Sequence, residues 1–178
     1  EQHGWFLASQ FANPANPAYH RNTTAAEILR EAGYRGRRES KELVVFDADN
    51  DGVPELRTVL VDNLNAPYGL AWVDGYLYVA EQDALTRFPF QPGQTGISAP
   101  GQRVTDLPSH INHHWTKSLT ASADGSKLYV GTGSNSNIGE RGMAVEEERA
   151  TVWEIDRATG ARRTIATGIR NPTALAIE

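Results

Sequence analysis

At 178 residues, with 39% hydrophobic and 22% charged residues, the chain is one domain or part of one, with enough apolar side chains for a packed core. A formal net charge of −5 offers no basic surface for nucleic acid, and the absence of cysteine excludes disulfides. No apolar run approaches the ~20 residues of a membrane-spanning helix.

The chain opens on Glu1 without a signal-peptide pattern, as a mature exported form or a fragment would. Residues 1–39 read as an N-terminal arm with one short helix. Asn13-Pro14 and Asn16-Pro17 are turn signals in an extended stretch, with Trp5, Phe6 and Phe11 placed to dock on the downstream chain. The helical pattern spans 21–33. Thr23 or Thr24 caps it, and Glu27 lies at capping-box spacing from Thr24. Ile28, Leu29 and Ala32 form its stripe, and Gly33 stops it. The run from Arg35 to Arg38 is followed by Glu39 and reads as a solvated turn.

From residue 40 the texture changes to short strands between Gly, Asn and Asp turns. Strands are predicted over 43–46, 57–61, 69–72, 76–80, 85–88, 103–106, 117–122, 127–131, 151–155 and 163–167, most of them carrying β-branched or aromatic residues. These segments repeat. Ala66-Pro67-Tyr68-Gly69-Leu70-Ala71 resembles Asn171-Pro172-Thr173-Ala174-Leu175-Ala176, and Lys117-Ser118-Leu119-Thr120 occupies the same slot between them. Asp74-Gly75-Tyr76-Leu77-Tyr78-Val79 matches Asp124-Gly125-Ser126-Lys127-Leu128-Tyr129-Val130 with one residue inserted. A third strand recurs as Thr86-Arg87-Phe88-Pro89 and Trp153-Glu154-Ile155-Asp156. A fourth recurs as Arg57-Thr58-Val59, Gln102-Arg103-Val104 and Arg163-Thr164-Ile165. Four strands every ~50 residues is the period of a β-propeller blade. Residues 40–178 then form a partial propeller of about three blades, fewer than closure requires, and 175–178 begin the first strand of another. That predicts a piece of a longer protein; a self-contained sandwich of the same strands is the rival fold.

Three groups of residues can do chemistry. His113 and His114 lead into a strand beside residues 131–137, a loop of only Gly, Thr, Ser and Asn. A neutral imidazole at such a mouth is a natural general base, though a loop histidine pair packed on Trp115 is as ordinary a reading. Arg170 and Asn171 precede Pro172 at the equivalent level of a later strand. They offer a planar fork of donors and an amide, or simply a surface turn. Asp47, Asp49 and Asp51, with Gly52, the Val53 carbonyl and Glu55, match the start of a calcium loop. Position 12 is Thr58 rather than glutamate and no helices flank it, so a plain acidic turn competes. The run Glu146-Glu147-Glu148-Arg149 reads as a solvated loop.

Taken together, the stretches DADNDGVPELRTVLVDNLNAPYGLA, LYVAEQDALTRFPFQPGQT, NHHWTKSLTASADGSKLYVGTGSNSN, EEERATVWEIDRATG and GIRNPTALA resemble the soluble pyrroloquinoline-quinone (PQQ)-dependent sugar dehydrogenases, in particular their sorbosone-dehydrogenase-like branch. The resemblance covers roughly residues 43–178. It implies a six-bladed propeller, His114 as catalytic base, and Arg170 and Asn171 as contacts of the quinone. Residues 133–137 would line the cleft, with an insertion near Gly131 disturbing that match. It further implies calcium beside the quinone, a sugar substrate, a separate electron acceptor, and a periplasmic or secreted location. Two rivals remain: a calcium-dependent lactonase-like hydrolase and a non-enzymatic propeller acting as a binding module.

Overall fold

The computed structural model describes residues 41–45 and 58–177. The arm, the helix over 21–33 and the calcium-loop candidates Asp47, Asp49, Asp51, Val53 and Glu55 lie outside the described residues. Ten strands form three antiparallel sheets among the described residues. β1 (Leu43–Val45) pairs with β2 (Thr58–Val61). β3 (Gly69–Val73), β4 (Tyr76–Ala80), β5 (Ala84–Pro89) and β6 (Gln102–Asp106) form a four-stranded meander. β7 (Lys117–Ala121), β8 (Lys127–Thr132), β9 (Thr151–Asp156) and β10 (Arg162–Thr167) form a second.

The turns follow from their residues. Asp74 and Gly75 both have positive φ, 48° and 78°, which suits the tight hairpin between β3 and β4. In the β7–β8 turn the Asp124 carboxylate accepts the Ser126 N–H at 3.0 Å.

The apolar run Tyr76–Ala80 is explained by burial on both faces. Leu70, Leu77, Val79 and Phe88 pack on one side with Leu43, Leu60, Val61 and Leu64. Ala71, Val73, Tyr78, Ala80 and Leu85 pack on the other with Leu128, Val130, Trp153 and Ile155. Neighbouring residues of one strand thus enter different cores, as the two-residue period of a pleat requires. The central sheet is covered on both sides, so the layers number three and not the two of a sandwich. The first strands of the two meanders, β3 and β7, lie against each other. Gly69 makes that approach possible, because a Cβ there would strike the Lys117 carbonyl and Leu119. The last strands, β6 and β10, are largely exposed.

The predicted strands are all present within one or two residues where they are described. One expectation is corrected: the sequence predicts a further strand beginning at 175–178, and residues 175–177 form none. Among the described residues no neighbouring chain segment offers them a ladder partner, and a strand needs one. The architecture is all-β, two four-stranded antiparallel sheets and a strand pair in a partial propeller-like arrangement.

Candidate functional site

The segments leading into β3 and β7 and the segment after β10 meet at one end of the sheets. The Trp115 ring stands edge-on to Tyr68 at 5.7 Å between centroids. The Tyr68 hydroxyl donates to the Thr173 carbonyl at 3.3 Å, and Thr116 Oγ1 donates to Asn171 Oδ1 at 3.1 Å. Ser118 Oγ donates to the Pro172 carbonyl at 2.6 Å, and the Ser134 N–H donates to the Arg170 carbonyl at 2.7 Å. His114, Arg170 and Asn171 are therefore brought to one place.

His114 is half-buried and its ring is fixed by Ser134. Its Nδ1 lies 3.2 Å from the Ser134 carbonyl and 3.0 Å from Ser134 Oγ. A carbonyl can only accept, and the Ser134 hydroxyl gives its proton to the Ser136 carbonyl. Both contacts therefore require the proton on Nδ1. Nε2 is left with its lone pair and has no partner among the described residues. Desolvation by burial is the main force lowering the His114 pKa; the charges of His113, Arg170 and Arg149 lower it further, while the Ser134 carbonyl works against them. The imidazole is accordingly neutral at pH 7, with its Nε2 lone pair open to accept a proton. His113 packs on it edge-on at 4.8 Å and is exposed, and Trp115 turns to Tyr68 instead of to the histidines.

The Arg170 guanidinium is exposed and unpartnered among the described residues. Asn171 gives its amide oxygen to Thr116, which leaves the amide N–H₂ for a ligand. Gly133 closes the gap between them: a Cβ there would meet the His114 Cβ and carbonyl and lie 3.0 Å from Asn171 Oδ1. A cavity of about 680 Å³ opens on the far side of the loop, with Ser134, Ser136, Arg149 and Arg170 in its wall.

The polar loop is packed into the protein: Ser134, Asn135 and Ser136 are 5%, 0% and 2% exposed. The charged run beyond it, expected as a solvated loop, is not simply solvated. Glu146 accepts the Asn135 N–H at 2.8 Å and the Ser136 hydroxyl, and Arg149 is buried. Lys117, fully buried at the start of β7, is a further residue that no sequence motif marks. It shares a strand face with Leu119 and Ala121, and that two-residue period is the available signal that it points inward.

No group of three or more His, Cys, Asp or Glu able to hold a metal occurs among the described residues. No helix among them is long and apolar enough to cross a membrane.

No protein-family model matches the chain. O-ureido-L-serine synthase of Streptomyces lavendulae is 43% identical over 76 residues, a match to 37% of this chain and 23% of that protein. Among solved structures, the holo form of the pyranose dehydrogenase PQQ domain from Coprinopsis cinerea is similar over 73% of this chain and 37% of its own, at 14% identity and a TM-score of 0.56. Luciferin-regenerating enzyme is similar over 76% of this chain and 39% of its own, at 13% identity and a TM-score of 0.53. A Trichoderma reesei carbohydrate-active enzyme of family AA12 is similar over 66% of this chain and 34% of its own, at 19% identity and a TM-score of 0.50. At these identities the likeness is one of fold alone: the chain shares a propeller-like arrangement of sheets with parts of these three structures. It spans about a quarter of the synthase and between a third and two-fifths of each of the three solved chains.

Proposed function

We propose that the chain is part of a six-bladed quinoprotein dehydrogenase that oxidises a sugar or sugar aldehyde, with His114 as general base. The observation that carries this reading is the state of His114: Nδ1 tied to Ser134, Nε2 bare with its lone pair, and a pKa lowered by burial first and by the nearby charges, Arg170 among them, second. The residues suit a planar, anionic cofactor. Arg170 supplies a fork of donors for carboxylates and Asn171 an amide N–H₂, while Gly133 lets the loop pack directly against His114 and Asn171. Bound pyrroloquinoline quinone would supply the two-electron acceptor for the hydride leaving the substrate carbon.

The chain's own residues do the rest. Nε2 of His114 takes the proton of the substrate hydroxyl, or of an aldehyde hydrate, as its carbon becomes a carbonyl. Ser134 holds the ring in the tautomer that can do so and stabilises the imidazolium that forms, because its carbonyl and hydroxyl both accept from Nδ1. Arg170 favours negative charge at the mouth. Calcium belongs to this reading beside the quinone, and the loop of Asp47, Asp49, Asp51, Val53 and Glu55 is a separate candidate calcium site; a separate electron acceptor belongs to it as well. Export to the periplasm or outside the cell goes with it.

The test is reconstitution of the protein with pyrroloquinoline quinone and calcium, following dye reduction with aldoses, sorbosone and simple alcohols. Cofactor-dependent reduction is the expected result. Folded protein that gives neither turnover nor a spectral change of the quinone sinks the proposal; lactone hydrolysis then separates a hydrolase from a binding module.

A further inference from the structure

Two basic side chains lie buried behind His114 with no carboxylate in contact among the described residues. Lys117 is 0% exposed and Arg149 2%. Lys117 Nζ donates to Asn112 Oδ1 at 2.9 Å and to the Trp115 carbonyl at 3.1 Å. Arg149 Nη1 donates to the same Asn112 oxygen at 2.7 Å and to the Pro108 carbonyl at 2.6 Å, while Nη2 donates to the His114 carbonyl at 2.9 Å. One amide oxygen therefore receives both side chains, and the consecutive carbonyls of His114 and Trp115 are each gripped by one of them.

The backbone around this cluster is strained at both contributing loops. Ile111 and Asn112 have φ of 56° and 55°, the first a β-branched residue for which the left-handed region is a true outlier. Arg149 is flanked by Glu148 and Ala150 at φ 60° and 54°. Such conformations persist only where surrounding contacts hold them. Here the holding contacts are the three side chains themselves, with Asn135 Oδ1 accepting the Asn112 N–H at 2.8 Å. Fold stability does not explain the choice of residues, since apolar side chains of equal volume commonly do as well or better in such a place. Burial drives the Lys117 pKa down to about 6, with the Arg149 charge adding to the shift and Asp83 opposing it. Burial thus favours the uncharged amine of Lys117, which donates to Asn112 and to the Trp115 carbonyl in either state.

We infer that Asn112, Lys117 and Arg149 are a positioning unit for His114: they lock the strained loops at 111–112 and 148–150 together and so fix where the imidazole stands. None of the three donates to the His114 imidazole itself; Lys117 and Arg149 hold backbone carbonyls. The inference rests on the reading of His114 as the working base, but its test does not need turnover.

The test is the ¹⁵N spectrum of the His114 imidazole in the full chain, which reports tautomer and pKa without cofactor. Lys117→Met keeps the length of the side chain and removes its donor. Arg149→Lys keeps the charge and loses the grip on the His114 carbonyl. In each folded variant the Nδ1–H signature should give way to a mixture of tautomers, and the His114 pKa should move back toward that of free imidazole. In reconstituted enzyme, kcat should fall about tenfold to a hundredfold with KM little changed. A folded variant with an unaltered His114 spectrum overturns the assignment, whatever its stability. If neither variant folds, amide exchange of the wild-type chain decides. Slow exchange at Asn112 and His114 supports the lock, and exchange as fast as in the exposed turn at 123–126 overturns it.

Discussion

The two four-stranded sheets are built on one register and differ where it matters. Leu70 pairs with Val79 in the first, and Leu119 with Val130 in the second. Val79 pairs with Thr86, and Val130 with Trp153. In the first sheet the connection between the second and third strands is residues 81–83. It closes on itself: Glu81 accepts the Asn65 N–H and the Thr86 hydroxyl, each at 2.6 Å. In the second sheet the same connection runs over 133–150 and carries Ser134, Asn135, Glu146 and Arg149. In both, this connection anchors the segment leading into the first strand. One sheet does so with the carboxylates of Glu81 and Asp83, the other with the Asn135 amide and the Arg149 guanidinium, on the same connection as the Ser134 that holds the His114 imidazole. The framework is thus shared, and chemistry enters through one lengthened connection on it.

The comparison can be broken at several points. His114→Gln should lower kcat of the reconstituted enzyme about 10²- to 10⁴-fold with quinone binding retained, read by steady-state kinetics and cofactor titration. In the wild type, the acid limb of kcat/KM should fall with a pKa below the ordinary 6.5 of imidazole, because burial disfavours the charged ring. Gly69→Val should cost about 3 kcal/mol or more in urea unfolding, because the added side chain meets backbone of β7 and forces the two sheets apart. Glu81→Ala should cost about 1–3 kcal/mol by the same measurement, leaving Asn65 and Thr86 donors unsatisfied. It should nevertheless spare the His114 ¹⁵N spectrum; a change there would mean that the two sheets are not independent. The smallest effect is expected at Asp74, whose carboxylate meets Arg157 across the sheets at an exposed site. Asp74→Asn should cost less than ~1 kcal/mol, and the difference should shrink in high salt.

The repeat was legible because strand pairing preserves side-chain alternation. The sequence match of Leu70 with Leu119, of Phe88 with Ile155 and of Arg103 with Thr164 is the match that the ladders make. His114, Arg170 and Asn171 could be placed at one level for the same reason. The support behind them could not. Arg149 sits in a run of charges that composition assigns to solvent, and only its burial against Pro108, Asn112 and His114 distinguishes it from Glu147. Likewise, the residues of the 133–137 loop favour turns as single residues. Their order comes from partners far along the chain, such as Glu146 and Asn112, which propensity does not register.

The exposed outer strands have a bearing on how the molecule behaves in a crowd. β6 presents Gln102, Arg103 and Asp106, and β10 presents Arg163 and Thr164, where a bare hydrogen-bonding ladder would otherwise face the solvent. A foreign strand arriving at either margin would have to desolvate these arginines before it could pair. The rims that a meander inevitably leaves open are therefore poor templates for aggregation, and the apolar segments that would nucleate it are kept in β4 and β8, inside the sheets.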